Sequence, residues 1–223
     1  MTPILLCYAT ENYAKQQGAL VKEAQEDGFR NFYLMNDIYL KTWTSFYKEN
    51  KFVLDQKRGA GYWLWKPYFI KKLLEGTKDY DPVIYMDCGD RLKPGFMKFI
   101  LEELKTKDQV FVQNTHINKY YTKRSCFVHM DCDEEKYWDA PILEAGVVAF
   151  RNTPENIEFV DEWLLWCKIP EVLMDEPRAK EDFPEFVCHK HDQSILTNLV
   201  IKYNLPTIPI QRMMKYVNYN VRG

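Results

Sequence analysis

The segment from Pro82 to Asp90, with the sequence PVIYMDCGD, constrains the fold more than any other part of this chain. Its apolar run, Val83 to Met86, is typical of a strand that is buried on both faces of a sheet, and it ends in two carboxylates around a glycine. Ligands of open α/β sheets bind at the carboxyl ends of such strands. The carboxylates therefore indicate either a hard cation that bridges to phosphate oxygens or an ordinary solvated turn.

The bulk composition predicts one domain, residues 1–223, because 223 residues with 46% apolar content suffice for one substantial core. A net charge of -2, with acids and bases interspersed, argues against nucleic acid or an anionic membrane as partner. Six scattered cysteines without a Cys-x-x-Cys pair predict reduced thiols and a cytoplasmic location. No apolar run approaches the ~18 residues of a transmembrane segment, although a domain cut from a larger chain would look the same.

Strands and helices alternate along the sequence, which predicts an α/β fold. The expected strands cover residues 3–7, 31–35, 82–87, 110–112 and 142–150. Helices are expected around residues 20–28, 43–50, 67–76, 96–104, 154–167 and 192–203. The polar and aromatic stretch 116–140 and the acidic stretch 171–185 lack a clear period and are predicted to be loops, the longer of them a lid or binding segment. The tail from Leu205 is expected to add a short strand and a basic, aromatic run.

Four segments, spread over nearly the whole chain, carry a resemblance to a known family. They are YATENY (8–13), VIYMDCGD (83–90), LEAGV (143–147) and HDQSIL (191–196). In their order and spacing they resemble the GT-A fold of nucleotide-sugar-dependent glycosyltransferases, most closely glycosyltransferase family 8, with affinity to polysaccharide-type and virus-encoded members. The resemblance implies a single Rossmann-like GT-A domain with a central mixed, mostly parallel sheet flanked by helices. It also implies transfer of a sugar from a UDP-sugar donor to a hydroxyl of a glycan or glycoprotein acceptor, with Mn²⁺ or Mg²⁺ as cofactor.

The resemblance assigns the loop after the first strand to the nucleotide. An aromatic ring at Tyr13 would stack on the base, whereas the alternative is that this ring packs within the first helix. The nucleotide-binding residues expected on this basis are Ala9, Thr10, Asn12, Tyr13 and Asp87.

The metal site departs from the family pattern, because Gly89 stands where the second aspartate of Asp-x-Asp is expected and the acid follows one position later. The expected metal ligands are Asp87, Asp90 and His191. A turn is needed to bring the two aspartates to one cation, and Gly89 permits it. His191 is alternatively an ordinary loop histidine, as His189 is expected to be. The literal Asp131-Cys132-Asp133 follows no apolar run and is interpreted as loop acidity.

Cations are expected near the diphosphate and the donor sugar, since the departing nucleoside diphosphate gains negative charge. The residues expected there are Arg58, Lys66, Ala145, Gly146, Arg212 and Lys215. Lys66 is alternatively a solvated helix start, and the tail lacks the family's His-x-x-Gly-x-x-Lys signature. One of the flanking Trp63 and Trp65 is expected to belong to the core.

Asp192, Gln193 and Glu144 are the expected catalytic residues. The resemblance makes Gln193 the counterpart of the residue beneath the anomeric carbon of the donor, which favours retention of configuration. Glu144 replaces the family's asparagine, and a carboxylate there could instead deprotonate the acceptor in an inverting reaction. The sequence leaves this choice open. Two other functions also remain consistent with the sequence: a sugar- or nucleotide-binding module without turnover, and a metal-dependent nucleotidyltransferase.

Overall fold

A mixed six-stranded sheet forms the centre of the protein, seen in a computed structural model that describes residues 2–78 and 81–219. The strands are β1 (Ile4–Ala9), β2 (Asn31–Asn36), β3 (Pro82–Met86), β4 (Arg91–Leu92), β5 (Gln109–Ile117), β6 (Pro141–Arg151), β7 (Ile208–Pro209) and β8 (Val217–Asn218). The order in the main sheet is β2-β1-β3-β6-β5-β7, and β4 pairs with β8 in a separate two-stranded sheet.

Three of the main-sheet pairings are parallel and two are antiparallel. Strand β1 runs parallel to β2 and β3, and β7 runs parallel to β5. Strand β6 lies antiparallel between β3 and β5, with Met86 opposite Val147 and Val112 opposite Glu144. The α/β class and the mixed, mostly parallel sheet predicted from the sequence are thus confirmed.

Helices cover both faces of the sheet. They are α1 (Ala14–Asp27), α2 (Asp37–Trp43), α3 (Ser45–Glu49), α4 (Lys51–Leu54), α5 (Gly59–Tyr62), α6 (Trp65–Gly76), α7 (Phe96–Glu103), α8 (Asn118–Tyr121), α9 (Arg124–His129), α10 (Glu135–Trp138), α11 (Pro154–Cys167), α12 (Pro170–Leu173), α13 (Asp192–Lys202) and α14 (Ile210–Met213). A 3₁₀ turn, Glu11–Tyr13, precedes α1. Within residues 2–78 and 81–219, none of these helices combines the length and the apolar character needed to cross a bilayer.

The alternation of side chains along the buried strands creates two cores. One face of the sheet, including Tyr8 and Tyr85, packs with residues of α6, α11 and α13. The other face, including Cys7 and Met86, packs with residues of α1 and α7. Successive residues of a strand point to opposite faces, so a strand that is apolar at every position, such as β3, must be covered on both sides.

Two regions differ from the sequence prediction in detail. The helix expected over residues 43–50 is broken at Thr44, whose extended backbone ends α2 and whose hydroxyl accepts a hydrogen bond from Tyr47 N at 3.4 Å to cap α3. The stretch 116–140 is not irregular throughout: β5 continues to Ile117, and α8, α9 and α10 follow. Short helices of this kind are set by tertiary packing, and their sequences carry no helical period.

Candidate functional site

A cleft of about 1130 Å³ opens where β1 and β3 end. The order of strands in the sheet determines the order in which the loops and strand ends line the cleft. The loop after β1 comes first, the residues after β3 and the middle of β6 follow, and the end of β5 comes last. Neighbouring strands lie about 4.8 Å apart, so the span from the first to the last is roughly 14 Å. These dimensions suit a ligand made of several connected groups.

The carboxylates after β3 are positioned by backbone hydrogen bonds. Asp87 N donates to Gly146 O at 2.8 Å, which continues the antiparallel pairing by one residue beyond Met86. Asp90 N donates to Asp87 O at 3.1 Å and closes a tight turn. The turn forms as the sequence required, but without a left-handed backbone at Gly89, which is not among the residues with positive φ. The Tyr85 hydroxyl donates to Asp87 Oδ1.

Three carboxylates converge beside Gly146. A methyl group at its Cα would lie 2.8 Å from Asp90 Oδ2, 3.3 Å from Glu144 Oε1 and 3.6 Å from Asp87 Oδ2. Only a residue without a side chain leaves this space open. Three anionic oxygens around one small volume repel one another, and a cation in or beside that volume would relieve the repulsion.

These residues fit a divalent cation that is held partly by its ligand. Carboxylate oxygens are the donors that Mg²⁺ and Mn²⁺ prefer. Nevertheless, no three His, Cys, Asp or Glu side chains in residues 2–78 and 81–219 are grouped closely enough to form a metal site alone. Asp87 and Asp90 would therefore hold such a cation only together with oxygen ligands from outside the protein, as is common for Mg²⁺.

Lys66 forms the charged floor of the cleft. Its side chain is 3% exposed, and Nζ lies 2.9 Å from Asp192 Oδ2 and 3.7 Å from Asp87 Oδ1. It also donates to Ala145 O at 3.1 Å. Burial lowers the pKa of Lys66, but the neighbouring Asp192 and Asp87 outweigh this effect, so that the pKa is raised and the ammonium is retained. The Lys66 side chain thus connects the end of β3 with β6 and α13. The alternative interpretation of Lys66, a solvent-exposed residue at a helix start, is wrong.

Two further carboxylates of the floor hold protons more tightly than usual. Burial raises the pKa of Asp192 to about 6 in spite of Lys66. Burial and the charge of Asp87 also raise the pKa of Glu144. Glu144 Oε1 accepts a hydrogen bond from Gly146 N at 3.3 Å, and Oε2 accepts one from Asn114 Nδ2 at 3.4 Å. A carboxylate of raised pKa that stays ionised is a stronger base, which is the property a proton acceptor needs.

The loop after β1 lies at the first end of the cleft. Thr10, Asn12 and Tyr13 line it, together with the buried Ala9. Tyr13 N donates to Thr10 O at 2.8 Å, which folds the loop into the 3₁₀ turn. Tyr13 is 39% exposed and belongs to neither core, so its ring is accessible to a ligand in the cleft.

Arg58 precedes a segment with unusual backbone geometry, and Trp63 ends it. Residues 59 to 63 all have φ between 49° and 96°. At Gly61, where φ is +96°, a Cβ would lie 2.7 Å from Leu54 Cα, so only glycine fits. Arg58 lines the cleft and lies 3.6 Å from Asp175. Trp63 and Trp65 both line it, but Trp65 is buried and its ring stacks on Tyr8 at 3.9 Å. One of the two tryptophans thus belongs to the core.

His191 immediately precedes α13 and lies at the cleft wall. Its Nδ1 donates to Leu173 O at 2.8 Å, which leaves the lone pair on Nε2. Burial lowers the pKa of His191 to about 4, so the ring is neutral and chemically able to bind a metal. Its Nε2 is, however, buried 3.9 Å from Asp175 Oδ1, and the ring packs against Tyr62 and Trp63. His189 binds Val172 O and does not line the cleft.

The two basic residues of the tail lie elsewhere. Arg212 pairs with Glu103 at 2.5 Å and lies over the ring of Phe99, and neither Arg212 nor Lys215 lines the cleft. Asp133 pairs with Arg124 and Lys180, also away from the cleft. Gln193, Ala145 and Gly146, in contrast, are part of the cleft wall.

Several cleft residues carried no recognisable sequence signal. They are Tyr85, Asn114, His116, Tyr121, Lys190 and Tyr219. Tyr85 was not recognised as a cleft residue because it lies within the apolar run of β3. Residues two apart in a strand point to the same face, so Tyr85 shares the face of Asp87. Asn114 and His116 were missed because β5 is longer than its apolar centre suggests.

The comparisons with known proteins show the fold. No protein-family model matches the chain, and no curated protein is similar enough in sequence to count as a relative. Among solved structures, the bifunctional glycosyltransferase WbbM superposes with a TM-score of 0.52 at 13% identity, over 89% of this chain. The present chain spans only 37% of WbbM. Mouse xyloside xylosyltransferase 1 superposes with a TM-score of 0.51 at 11% identity, over 94% of this chain and 85% of the other. The chain therefore has the GT-A-like fold of these glycosyltransferases, as the sequence resemblance predicted.

Proposed function

We propose that the protein is a metal-dependent glycosyltransferase that transfers a sugar from a UDP-sugar to a hydroxyl of a glycan or glycoprotein. The carboxylate cluster beside Gly146, at the end of β3 in a GT-A-like fold, is the observation that carries this proposal. A bound Mn²⁺ or Mg²⁺ would supply positive charge that stabilises the leaving diphosphate. Asp87 and Asp90 would hold it.

The residues of the chain have separate tasks in this scheme. Tyr13 stacks on the uracil, and Thr10 and Asn12 hold the nucleoside at the first end of the cleft. Lys66 keeps Asp192 and Asp87 in place and offsets their charge. In the reaction, the acceptor oxygen forms a bond to the anomeric carbon. The bond from that carbon to the diphosphate breaks, and its electron pair leaves with UDP.

The stereochemical outcome depends on where the acceptor proton goes. We propose retention, in which Gln193 lies beneath the anomeric carbon and the leaving diphosphate oxygen takes the proton. In an inverting reaction Glu144 would take it. Glu144→Gln separates the two: a retaining enzyme keeps most of its kcat, whereas an inverting one loses about 10²–10⁴-fold, the usual contribution of a general base. The anomeric configuration of the product, read by NMR, gives an independent answer.

Asp87→Ala tests the proposal as a whole. The purified chain should bind UDP in the presence of Mn²⁺ and release UDP slowly from at least one UDP-sugar, and the variant should do neither. Isothermal titration measures the binding, and a coupled assay measures the release. If Asp87→Ala binds UDP and Mn²⁺ as tightly as the parent, the site lies elsewhere. If the parent binds UDP but never releases it from any donor, with any acceptor, the protein is a binding module.

A further inference from the structure

The last part of the cleft differs in charge from its middle. Its residues His116, Tyr121 and Lys190, which we name the basic end, line the cleft beyond Glu144, on the side of β5. The middle contains the carboxylates Asp87 and Asp90. The two regions therefore attract ligand groups of opposite charge.

The side chains of the basic end are held together by Tyr121. The His116 ring lies 5.1 Å from the Tyr121 ring, and Lys190 Nζ lies 5.6 Å from the centre of that same ring. The backbone is fixed as well, because Lys190 N donates to Tyr121 O at 3.0 Å and to Ser194 Oγ at 3.2 Å. Ser194 Oγ in turn donates to Tyr121 O at 2.8 Å. The backbone of Lys190 is thus held by hydrogen bonds, and its ammonium group lies near the Tyr121 ring.

Among the other described cations that line the cleft, all but Lys57 are paired with acids of the protein. Lys41 lies 3.6 Å from Asp37, Arg58 pairs with Asp175, and Lys66 pairs with Asp192. For Lys190, no carboxylate within residues 2–78 and 81–219 lies at ion-pair distance. An ammonium group that has no paired acid among the described residues, and that shares the Tyr121 ring with a histidine, is suited to an anion from a ligand.

We infer that the basic end binds an acceptor that carries a negative charge, either a carboxylate or a phosphate group. The inference rests on the proposed function, which places the nucleotide at the opposite end and the transferred sugar in the middle. The acceptor must then enter from β5, where its hydroxyl reaches the donor sugar beside Glu144 while its anionic group contacts Lys190 and His116. The two sources of negative charge are distinguished by the test.

The test compares three acceptors that differ in one group: octyl glucoside, octyl glucuronide and octyl glucoside 6-phosphate. With the full chain, Mn²⁺ and the UDP-sugar that it uses, we expect kcat/KM at least tenfold higher for one or both anionic acceptors than for the neutral one. Lys190→Glu should abolish that preference while leaving the affinity for UDP and its release without acceptor unchanged. Lys98→Glu, the same charge change at an exposed residue of α7 outside the cleft, should behave like the parent.

Preference for glucuronide alone identifies a carboxylate acceptor, and preference for the 6-phosphate alone identifies a phosphorylated one. Equal turnover of all three acceptors by the parent overturns the inference. So does a loss of UDP binding in Lys190→Glu, which would assign Lys190 to the donor. Binding of the three glycosides is followed in parallel by saturation-transfer NMR, so a protein that releases no UDP still reports whether Lys190 selects the anionic ones. Failure of the proposed function is thereby distinguished from failure of this inference.

Discussion

The floor of the cleft and its rim hold charged groups in different ways. In the floor, Lys66 and Asp192 are buried and paired, so their charges interact strongly and their positions are fixed before any ligand arrives. At the rim, the side chains of Tyr13 and Lys190 are exposed to solvent and lie outside both cores. We therefore expect substitutions in the floor to affect both folding and function, and substitutions at the rim to affect ligand binding with little effect on stability.

Removal of the floor cation is expected to have the largest effect. Lys66→Met leaves Asp192 and Asp87 buried without their counter-charge, so we expect the free energy of unfolding to fall by about 3–5 kcal/mol at neutral pH. Urea denaturation followed by circular dichroism measures it. Lys71→Met is the matched control on the same helix, since the partly exposed Lys71 pairs with Asp161 at the surface and should cost about 0–1 kcal/mol. Similar losses in both variants would contradict the distinction between floor and rim.

The raised pKa of Asp192 should make the free energy of unfolding depend on pH. Between the ordinary value of 3.8 and the folded value of about 6, the folded chain keeps a proton that the unfolded chain has lost. Stability from this group is therefore present at low pH and is lost as pH rises through about 6. At about 1.36 kcal/mol per pKa unit, the loss is roughly 3 kcal/mol.

Asp192→Asn should remove this dependence of the free energy of unfolding on pH. Urea denaturation at about pH 4.5, 5.5 and 7 measures the free energy of unfolding of parent and variant. The free energy of the variant relative to that of the parent is expected to rise with each increase in pH. The other carboxylates are present in both proteins and cancel in the difference. A difference that stays constant with pH would mean that Asp192 has an ordinary pKa and does not belong to a tightly buried floor.

Gly146→Ala tests the proposed metal site directly. The added methyl group would lie 2.8 Å from Asp90 Oδ2 and would occupy the space among the carboxylates. We expect Mn²⁺-dependent UDP binding to weaken by about 10–100-fold, comparable to the loss of a metal's supporting contacts. Isothermal titration measures it. Gly18→Ala, where nothing lies within 4 Å of the new methyl group, should bind normally and gain up to about 1 kcal/mol of stability from helix propensity.

The smallest effect is expected at the rim. Tyr13→Ala should weaken UDP binding by about tenfold, because base stacking on an aromatic ring contributes roughly 1–3 kcal/mol. Tyr13→Phe keeps the ring and should bind like the parent. Since Tyr13 lies outside both cores, thermal unfolding of either variant should match that of the parent. A clear loss of stability in Tyr13→Ala would show that the ring belongs to the folded core and not to the ligand.

Local sequence patterns were sufficient to predict the strand that ends at Met86, the carboxylates after it, and the helix that begins at Asp192. These are local features: an apolar run, a helical period and a polar strand end require only neighbouring residues to be recognised. The contact of Lys66 with Asp192 and the position of Glu144 beside Asp87 could not be predicted from the sequence, because they arise from tertiary packing. They depend on β6 running antiparallel between β3 and β5 and on α6 and α13 packing on one face. Contacts between residues distant in sequence are set by strand order and burial, which no local pattern records.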